Sequence, residues 1–356
     1  MALISKKKIP VKISQGLRAY LNRYDREVKA PIAYPDLLRY DNAIPLYDSQ
    51  GHDTLWETVF YPQADMEEIH NSLKVLYSIL KAAGDLNVME HLRVDRVDIC
   101  TYANTNPFRV RVVNDINDNF DYFYVKNADA SRIYGLELEH LLSPNRINYF
   151  INGDTLVEEH IIGIPGDAFI KHHLNHEQLN KIRLAKEFVK FNERCFVRLL
   201  GDMHSSNFVV DVTPDFEEIT YRIKSIDFDQ QSYEGKKNIY LPQYFKQNNP
   251  LIQIGLDNMT PETARQYRKE ERALIANRFR MEKKRINHLL DAMSQDRLSS
   301  GEKIVQLRAE LARYYNDKRF LECKTMGDIV RLSLNLVVEK PNLYTDGLMS
   351  NRLNGH

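Results

Sequence analysis

The chain has 356 residues, of which 43% are hydrophobic and 28% are charged, an ordinary balance for a protein that buries an apolar core. Basic and acidic side chains both number 49, so the formal net charge is +0. Domains that bind nucleic acid usually carry a basic excess, and this balance therefore argues against a nucleic-acid partner.

One clear helical pattern stands out in the first ninety residues. Between Asp65 and Ala83, apolar side chains recur at helical spacing, which predicts an amphipathic helix facing a core. The stripe consists of Met66, Ile69, Leu73, Leu76 and Leu80. Gly84 predicts the end of this helix. We assign residues 1–92 to a partly helical accessory region and expect any protein partner to bind there.

An alternating pattern of apolar and polar residues follows. It covers three segments separated by turn-rich sequence, and it predicts a three-stranded antiparallel meander. The segments are residues 97–102, 108–113 and 120–125. Two more apolar segments, 147–151 and 155–162, flank Asn152-Gly153-Asp154. They predict a hairpin that completes a five-stranded sheet.

Helical patterns dominate the remainder. A short helix is predicted over residues 135–142 and a longer one from residue 177 to about residue 194. From Thr260 onward the sequence is helical and charged, and the basic side chains of residues 265–285 predict a solvated helix face. Strands followed by helices predict an α+β fold, either as one arrangement or as two lobes.

The residues suited to chemistry concentrate between Gly201 and Asp229. Asp202 and Asn207 lie in Gly-Asp-Met-His-Ser-Ser-Asn-Phe between two apolar runs, and Asp227 follows Asn207 by twenty residues in Ile-Asp-Phe-Asp. Phosphoryl transfer needs Mg²⁺ held by oxygen ligands and a carboxylate near the attacking hydroxyl. Asn207 and Asp227 are therefore candidate metal ligands, and Asp202 is a candidate base. The structural alternative is three ordinary polar turn residues.

These segments resemble the catalytic and metal-binding motifs of aminoglycoside phosphotransferases, choline kinases and related protein-kinase-like enzymes, H-G-D-x-H-x-x-N followed by I-D-[FW]-[DEG]. The resemblance implies that Asp202 is the catalytic carboxylate, that Asn207 and Asp227 bind Mg²⁺, and that His204 orders the loop. Asp229 would either assist metal binding or be an exposed structural carboxylate.

The resemblance also implies a two-lobed protein-kinase-like fold for this α+β chain. A small antiparallel sheet lobe would cover residues 93–163, and a larger helical lobe would cover residues 164–356. Residues 1–92 would form an N-terminal helical extension. Lys126, at the end of the third predicted strand, would bind the α- and β-phosphates of ATP.

Two further interactions follow from the same resemblance, one with Lys126 and one with the nucleotide. A glutamate of the short helix would pair with Lys126; Glu137 and Glu139 both lie on it, and we favour Glu137. The segment 156–166 is similar to the family's linker between lobes. The backbone of Glu159 to Ile161 would then bind the edge of the adenine.

The sequence departs from the family pattern in two places. Leu200 replaces the histidine before Gly-Asp, and the loop at residues 104–107 lacks the glycines with which protein kinases approach phosphate. We expect ATP- and Mg²⁺-dependent transfer of the γ-phosphoryl group to a hydroxyl of a small molecule or protein. The alternatives are a pseudokinase-like nucleotide-binding regulatory module and transfer of AMP on the same fold.

The sequence also contains a second candidate metal-binding group and features that bear on the location of the protein. His172, His173 and His176 have metal-compatible spacing, but no H-E-x-x-H motif accompanies them, and a polar helix entry is the simpler explanation. The three cysteines form no C-x-x-C pair, which favours a reducing cytoplasm. We find neither a secretory pattern nor an apolar stretch approaching the roughly 18 residues that span a bilayer.

Overall fold

The computed structural model of the protein describes residues 8–85, 87–177, 179–214 and 219–339, and contacts divide the chain into two units. The sheet unit comprises the described residues up to Ala130 together with Ile147–His160. The helical unit comprises Ser131–Arg146 and the described residues from Ile161 onward. Within these ranges, no helix has both the length and the apolar character needed to cross a membrane.

A seven-stranded antiparallel sheet in the order β1-β2-β3-β4-β5-β7-β6 forms the sheet unit. Its strands are β1 Asn42–Tyr47, β2 Asp53–Phe60, β3 Leu92–Ile99, β4 Phe108–Asn114, β5 Phe120–Asn127, β6 Tyr149–Asn152 and β7 Thr155–Glu159. The meander β3-β4-β5 and the β6-β7 hairpin confirm the predicted strands. The prediction of only five strands is wrong, because β1 and β2 extend the sheet from within residues 1–92.

Helix α2 (Gln63–Ala82) covers one face of this sheet, where it contacts β3 and β7. A shorter helix, α1 (Gln15–Arg23), precedes it. The α2 stripe beginning at Ile69 is buried in one cluster with the inward side chains of β4 and β5. Met66 lies in the first turn and is 44% exposed, so the predicted stripe was one residue too long. The helix ends as predicted, with Ala83 and Gly84 both in the left-handed region.

The helical unit contains the predicted helices and several more. Its helices are α3 Ala130–Leu142, α4 Gly166–His172, α5 Lys181–Arg198, α6 Asn249–Asn258, α7 Pro261–Met281, α8 Lys283–Gln295, α9 Gly301–Tyr315 and α10 Met326–Glu339. Helix α5 is central and contacts α6, α7 and α10. Helix α3 belongs to this unit from Ser131 onward, although the sequence placed it in the segment 93–163.

Buried ion pairs connect the helices of this unit. Arg198 on α5 pairs with Glu139 on α3, and Arg272 on α7 pairs with Glu193 on α5. The predicted solvated face over residues 265–285 is therefore wrong at Arg272, which is only 6% exposed. Leaving one member of such a pair without its partner typically costs about 3–5 kcal/mol, so removing one partner should destabilise this packing.

Candidate functional site

A β-hairpin brings Asn207 and Asp227 to the same end of a small sheet. Strand β8 (Ile164–Pro165) pairs with β9 (Phe208–Pro214), which pairs in turn with β10 (Ile219–Ser225). Phe208 lies opposite Ser225, so Asn207 precedes one strand and Asp227 follows the other at the open end of the hairpin. The Ile226 N–H continues the pairing by donating to the Asn207 carbonyl oxygen at 3.0 Å. The twenty-residue spacing in the sequence is thus the length of one hairpin.

Hydrogen bonds within the loop and one to Ile239 fix the loop that carries Asp202. The Asp202 N–H donates to the Ile239 carbonyl at 3.1 Å. The Asp202 carbonyl accepts from the His204 N–H at 2.9 Å and from the Asn207 Nδ2 at 2.8 Å. Asp202 has a φ of 62°, a conformation that is uncommon for a residue with a side chain and that recurs at functional sites. Asp202 and Asn207 are therefore fixed relative to each other.

Neighbouring elements hold this loop from both sides. The Asn248 side chain donates from Nδ2 to the Met203 carbonyl at 2.9 Å. Gly166, the first residue of α4, lies so close that an added Cβ would overlap the Phe208 ring and lie 2.5 Å from the Ser205 carbonyl oxygen. Only glycine fits at this position, because any side chain would displace the loop.

Burial makes Asp202 a proton acceptor near neutral pH. Burial first, and then the like charges of Asp227 and Glu234, raise the pKa of Asp202 from 3.8 to about 7. In the described part of the chain no group donates a hydrogen bond to its carboxylate, and His204 Nε2 lies 4.0 Å from Oδ1. Burial also lowers the pKa of His204, which favours its neutral form. His204 therefore offers little positive charge to the Asp202 carboxylate.

Asp227 and Asp229 share a buried arginine that the sequence interpretation missed. Arg132 on α3 donates from its Nη1 to Asp227 Oδ1 at 3.1 Å and to Asp229 Oδ1 at 2.9 Å. The Asp229 N–H also donates to Asp227 Oδ1 at 2.9 Å. Asp229 is only 7% exposed, so its interpretation as an exposed carboxylate is wrong. No local pattern distinguishes Arg132 from a surface residue, because its partners lie almost a hundred positions along the chain.

The oxygen atoms at the hairpin end fit the chemistry of a Mg²⁺ site. The Asn207 Nδ2 donates to the Asp202 carbonyl. The amide oxygen of Asn207, Oδ1, therefore points away from that hydrogen bond. Asp227 adds a carboxylate, of which Oδ1 is shared with Arg132. Carboxylate and amide oxygens, completed by water and phosphate oxygens, are the ligands that Mg²⁺ takes in proteins.

The rival histidines gain no support as a metal site. Among the described residues, no group of three or more His, Cys, Asp or Glu side chains is arranged to hold a metal ion. This finding covers the hairpin end as well, where the candidate ligands are one amide, Asn207, and one carboxylate, Asp227. His173 instead stacks on Phe169, with 5.5 Å between the ring centroids. The histidine-rich segment is therefore part of the end of α4 and the turn after it.

Lys126, predicted to bind phosphate, and Glu137, predicted to pair with it, each have a partner inside their own unit. Lys126 is buried at the end of β5 and contacts the carboxylate of Glu158 on β7. Glu137 is buried on α3 and accepts from Arg285 at 2.8 Å. The pairing of Lys126 with Glu137 stays a prediction.

The predicted adenine contacts lie at the end of β7 and in the segment after it. The Glu159 N–H donates to the Asn148 carbonyl at 3.0 Å, and its carboxylate accepts from the Asn148 N–H at 2.7 Å and contacts Lys81 at 3.3 Å. The Glu159 N–H is therefore already used within the sheet. Ile161 is half-buried in the segment that follows. Their role in binding adenine stays a prediction.

Comparisons with known proteins assign no family to the chain. No family model matches it, and no curated protein matches it significantly. Any function of the protein therefore has to be inferred from the residues of the site.

Proposed function

We propose that the protein is an ATP- and Mg²⁺-dependent phosphotransferase that moves the γ-phosphoryl group to a hydroxyl of a small molecule or protein. The observation that carries this proposal is the hairpin end with Asn207 and Asp227, where the Asn207 side chain also holds the backbone carbonyl of Asp202, whose carboxyl group has a pKa of about 7. A general base is most effective when its pKa lies near the working pH. Strands followed by helices along the chain support a protein-kinase-like fold.

In the proposed reaction, the acceptor hydroxyl oxygen forms a bond to the γ-phosphorus of ATP. The bond from that phosphorus to the bridging oxygen of the β-phosphate breaks, and ADP leaves with the electron pair. Asp202 takes the proton of the hydroxyl group. The products are the phosphorylated acceptor and ADP, and the proton is released from Asp202 to solvent.

Each remaining residue has a separate part in the proposal. Asn207 and Asp227 would hold Mg²⁺, which when bound would neutralise charge on the phosphates. Lys126 would bind the α- and β-phosphates, and the backbone around Glu159 and Ile161 would bind adenine. His204 would keep the loop in shape, since its Nδ1 accepts from the Ser206 N–H at 3.3 Å.

Asp202→Asn tests the base assignment. The variant should lose turnover by about 10²-fold or more, while ATP binding measured by calorimetry should change little. The assay is ATP consumption with Mg²⁺ across a panel of hydroxyl compounds and with water as the acceptor. Asp257→Asn, which changes an exposed carboxylate on α6, is the matched control. Equal turnover by Asp202→Asn and wild type would contradict the assignment.

Two observations favour a nucleotide-binding module without turnover. Arg132 already donates to Oδ1, one of the two carboxylate oxygens of Asp227, and the loop at residues 104–107 contains no glycine. A thermal shift with Mg-ATP and no ATP consumption on any acceptor would support this second candidate. Mass spectrometry of the protein and its acceptors separates an added phosphate from an added AMP.

A further inference from the structure

A single side chain, Arg132, contacts every residue of the Ile226–Asp229 segment. Its guanidinium donates to the Ile226 carbonyl at 3.3 Å, to Asp227 at 3.1 Å and to Asp229 at 2.9 Å. Its central carbon lies 5.9 Å from the centroid of the Phe228 ring. The Arg132 side chain is only 4% exposed. Arg132 is therefore a buried cation with a defined set of partners, and not a mobile surface arginine.

The helix that carries Arg132 is fixed by two other contacts, one to Gln231 just after this segment and one to Phe228 within it. The Ser131 hydroxyl donates to the Gln231 carbonyl at 2.7 Å. Gly135, one turn further along α3, packs so closely that an added Cβ would lie 3.0 Å from the Phe228 Cβ. Because α3 is anchored on both sides of Arg132, the guanidinium is held where it is. Arginine suits this position because its planar fork is always charged and can bridge two carboxylates.

We infer that Arg132 is a built-in counter-cation of the site, so that a divalent cation binds at Asp227 together with a nucleotide and only weakly without one. The inference rests on the proposed function in taking Asp227 as a cation ligand. Arg132 places one positive charge between two carboxylates, and their combined charge falls from two negative units to one. A divalent ion at Asp227 is then repelled by the guanidinium that lies next to Oδ1. The phosphates of a nucleotide supply the additional negative charge and oxygen ligands that overcome this repulsion.

The role of Arg132 is therefore that of a positioning residue that also limits cation affinity. It orients Asp227 through a charged hydrogen bond, and it prevents the paired carboxylates from binding a cation by themselves. Asp229 is therefore paired with Arg132, and it contributes to the site by holding that arginine in place.

Binding of Mn²⁺ to the full chain without nucleotide, followed by electron paramagnetic resonance of the free ion, tests this role independently of turnover. Arg132→Gln should bind Mn²⁺ at least about tenfold more tightly than wild type, because one positive charge has been removed next to the ligand oxygens. The gain should disappear in Arg132→Gln/Asp227→Asn. Arg313→Gln, on the exposed face of α9, should behave like wild type. Circular dichroism establishes that each variant is folded.

Arg132→Lys provides a second route if the glutamine variant does not fold. Lysine keeps the charge but cannot donate through a planar fork, so a smaller gain in Mn²⁺ affinity is expected. Wild-type protein that binds Mn²⁺ without nucleotide as tightly as with ATP would overturn the inference, and so would a folded Arg132 variant with unchanged affinity. A gain that survives Asp227→Asn would also overturn it. By contrast, ATP binding that is insensitive to Mg²⁺ in wild type contradicts the proposed function itself.

Discussion

Asp202→Asn should stabilise the folded protein at alkaline pH, because it removes a buried carboxylate that has to ionise there. Burial and the neighbouring charges of Asp227 and Glu234 raise the pKa of Asp202 from 3.8 to about 7. This difference corresponds to about 4 kcal/mol, at 1.36 kcal/mol for each tenfold change in proton affinity. The side chain is still 23% exposed, so about 4 kcal/mol is an upper limit for the gain in the free energy of unfolding. A measured gain of about 2 kcal/mol would agree with this expectation.

The sign follows from comparing the folded and unfolded chains. The unfolded carboxyl group loses its proton near pH 3.8, whereas the folded one keeps it up to about pH 7. Between these values the folded state binds more protons, and the free energy of unfolding of the wild type falls as the pH rises. Above about pH 7 the full cost of the buried charge is present. Asparagine has nearly the same shape but no such titration.

Urea unfolding of wild type and Asp202→Asn, followed by circular dichroism from about pH 4 to about pH 8.5, measures this difference. The two proteins should be nearly equal at the acid end, and the variant should become progressively more stable toward the alkaline end. Asp257→Asn is the control for removing a solvated carboxylate. An equal free energy of unfolding for wild type and Asp202→Asn at pH 8, or a difference that does not vary with pH, would refute the reasoning.

Three further variants test other parts of the site. Glu234→Gln removes a charge that raises the pKa of Asp202, so the acid limb of kcat/KM, expected near pH 7 in wild type, should move to lower pH; an unmoved limb would count against Asp202 as the base. Gly166→Ala should lower the melting temperature and turnover together, since its Cβ overlaps the Phe208 ring, at a cost of about 1–3 kcal/mol; unchanged values in both assays would contradict this. Glu139→Gln leaves a buried arginine without its charge partner and should lower the free energy of unfolding in urea by about 3–5 kcal/mol; a loss below about 1 kcal/mol would show that the pair is dispensable.

The elements that the sequence predicted well are those with strong local periodicity. The alternation from Val97 to Val125 gave the meander because each strand has one face in the core. Strand β1 was missed for the opposite reason. Strand β1 contains Pro45, lies at the edge of the sheet and buries no residue fully, so it shows no alternation from which a strand could be predicted.

At the site, sequence reasoning found the groups that share a motif and missed the group that does not. Asp202 and Asn207 lie on one loop, and the hairpin register brings Asn207 to the same end as Asp227. Arg132 reaches the same place from helix α3. Charged residues in helical segments are usually solvated, so neither the buried position of Arg132 nor that of Arg272 could be deduced from local pattern.

The central claim is that Asn207 and Asp227 would hold Mg²⁺ together with the phosphates of ATP. Calorimetric titration of ATP into wild type and Asp227→Ala, with and without Mg²⁺, tests it most directly. We predict that Mg²⁺ strengthens ATP binding to wild type by at least about tenfold and leaves ATP binding to the variant unchanged. Wild-type binding that does not respond to Mg²⁺, or an equal response in Asp227→Ala, would contradict the claim.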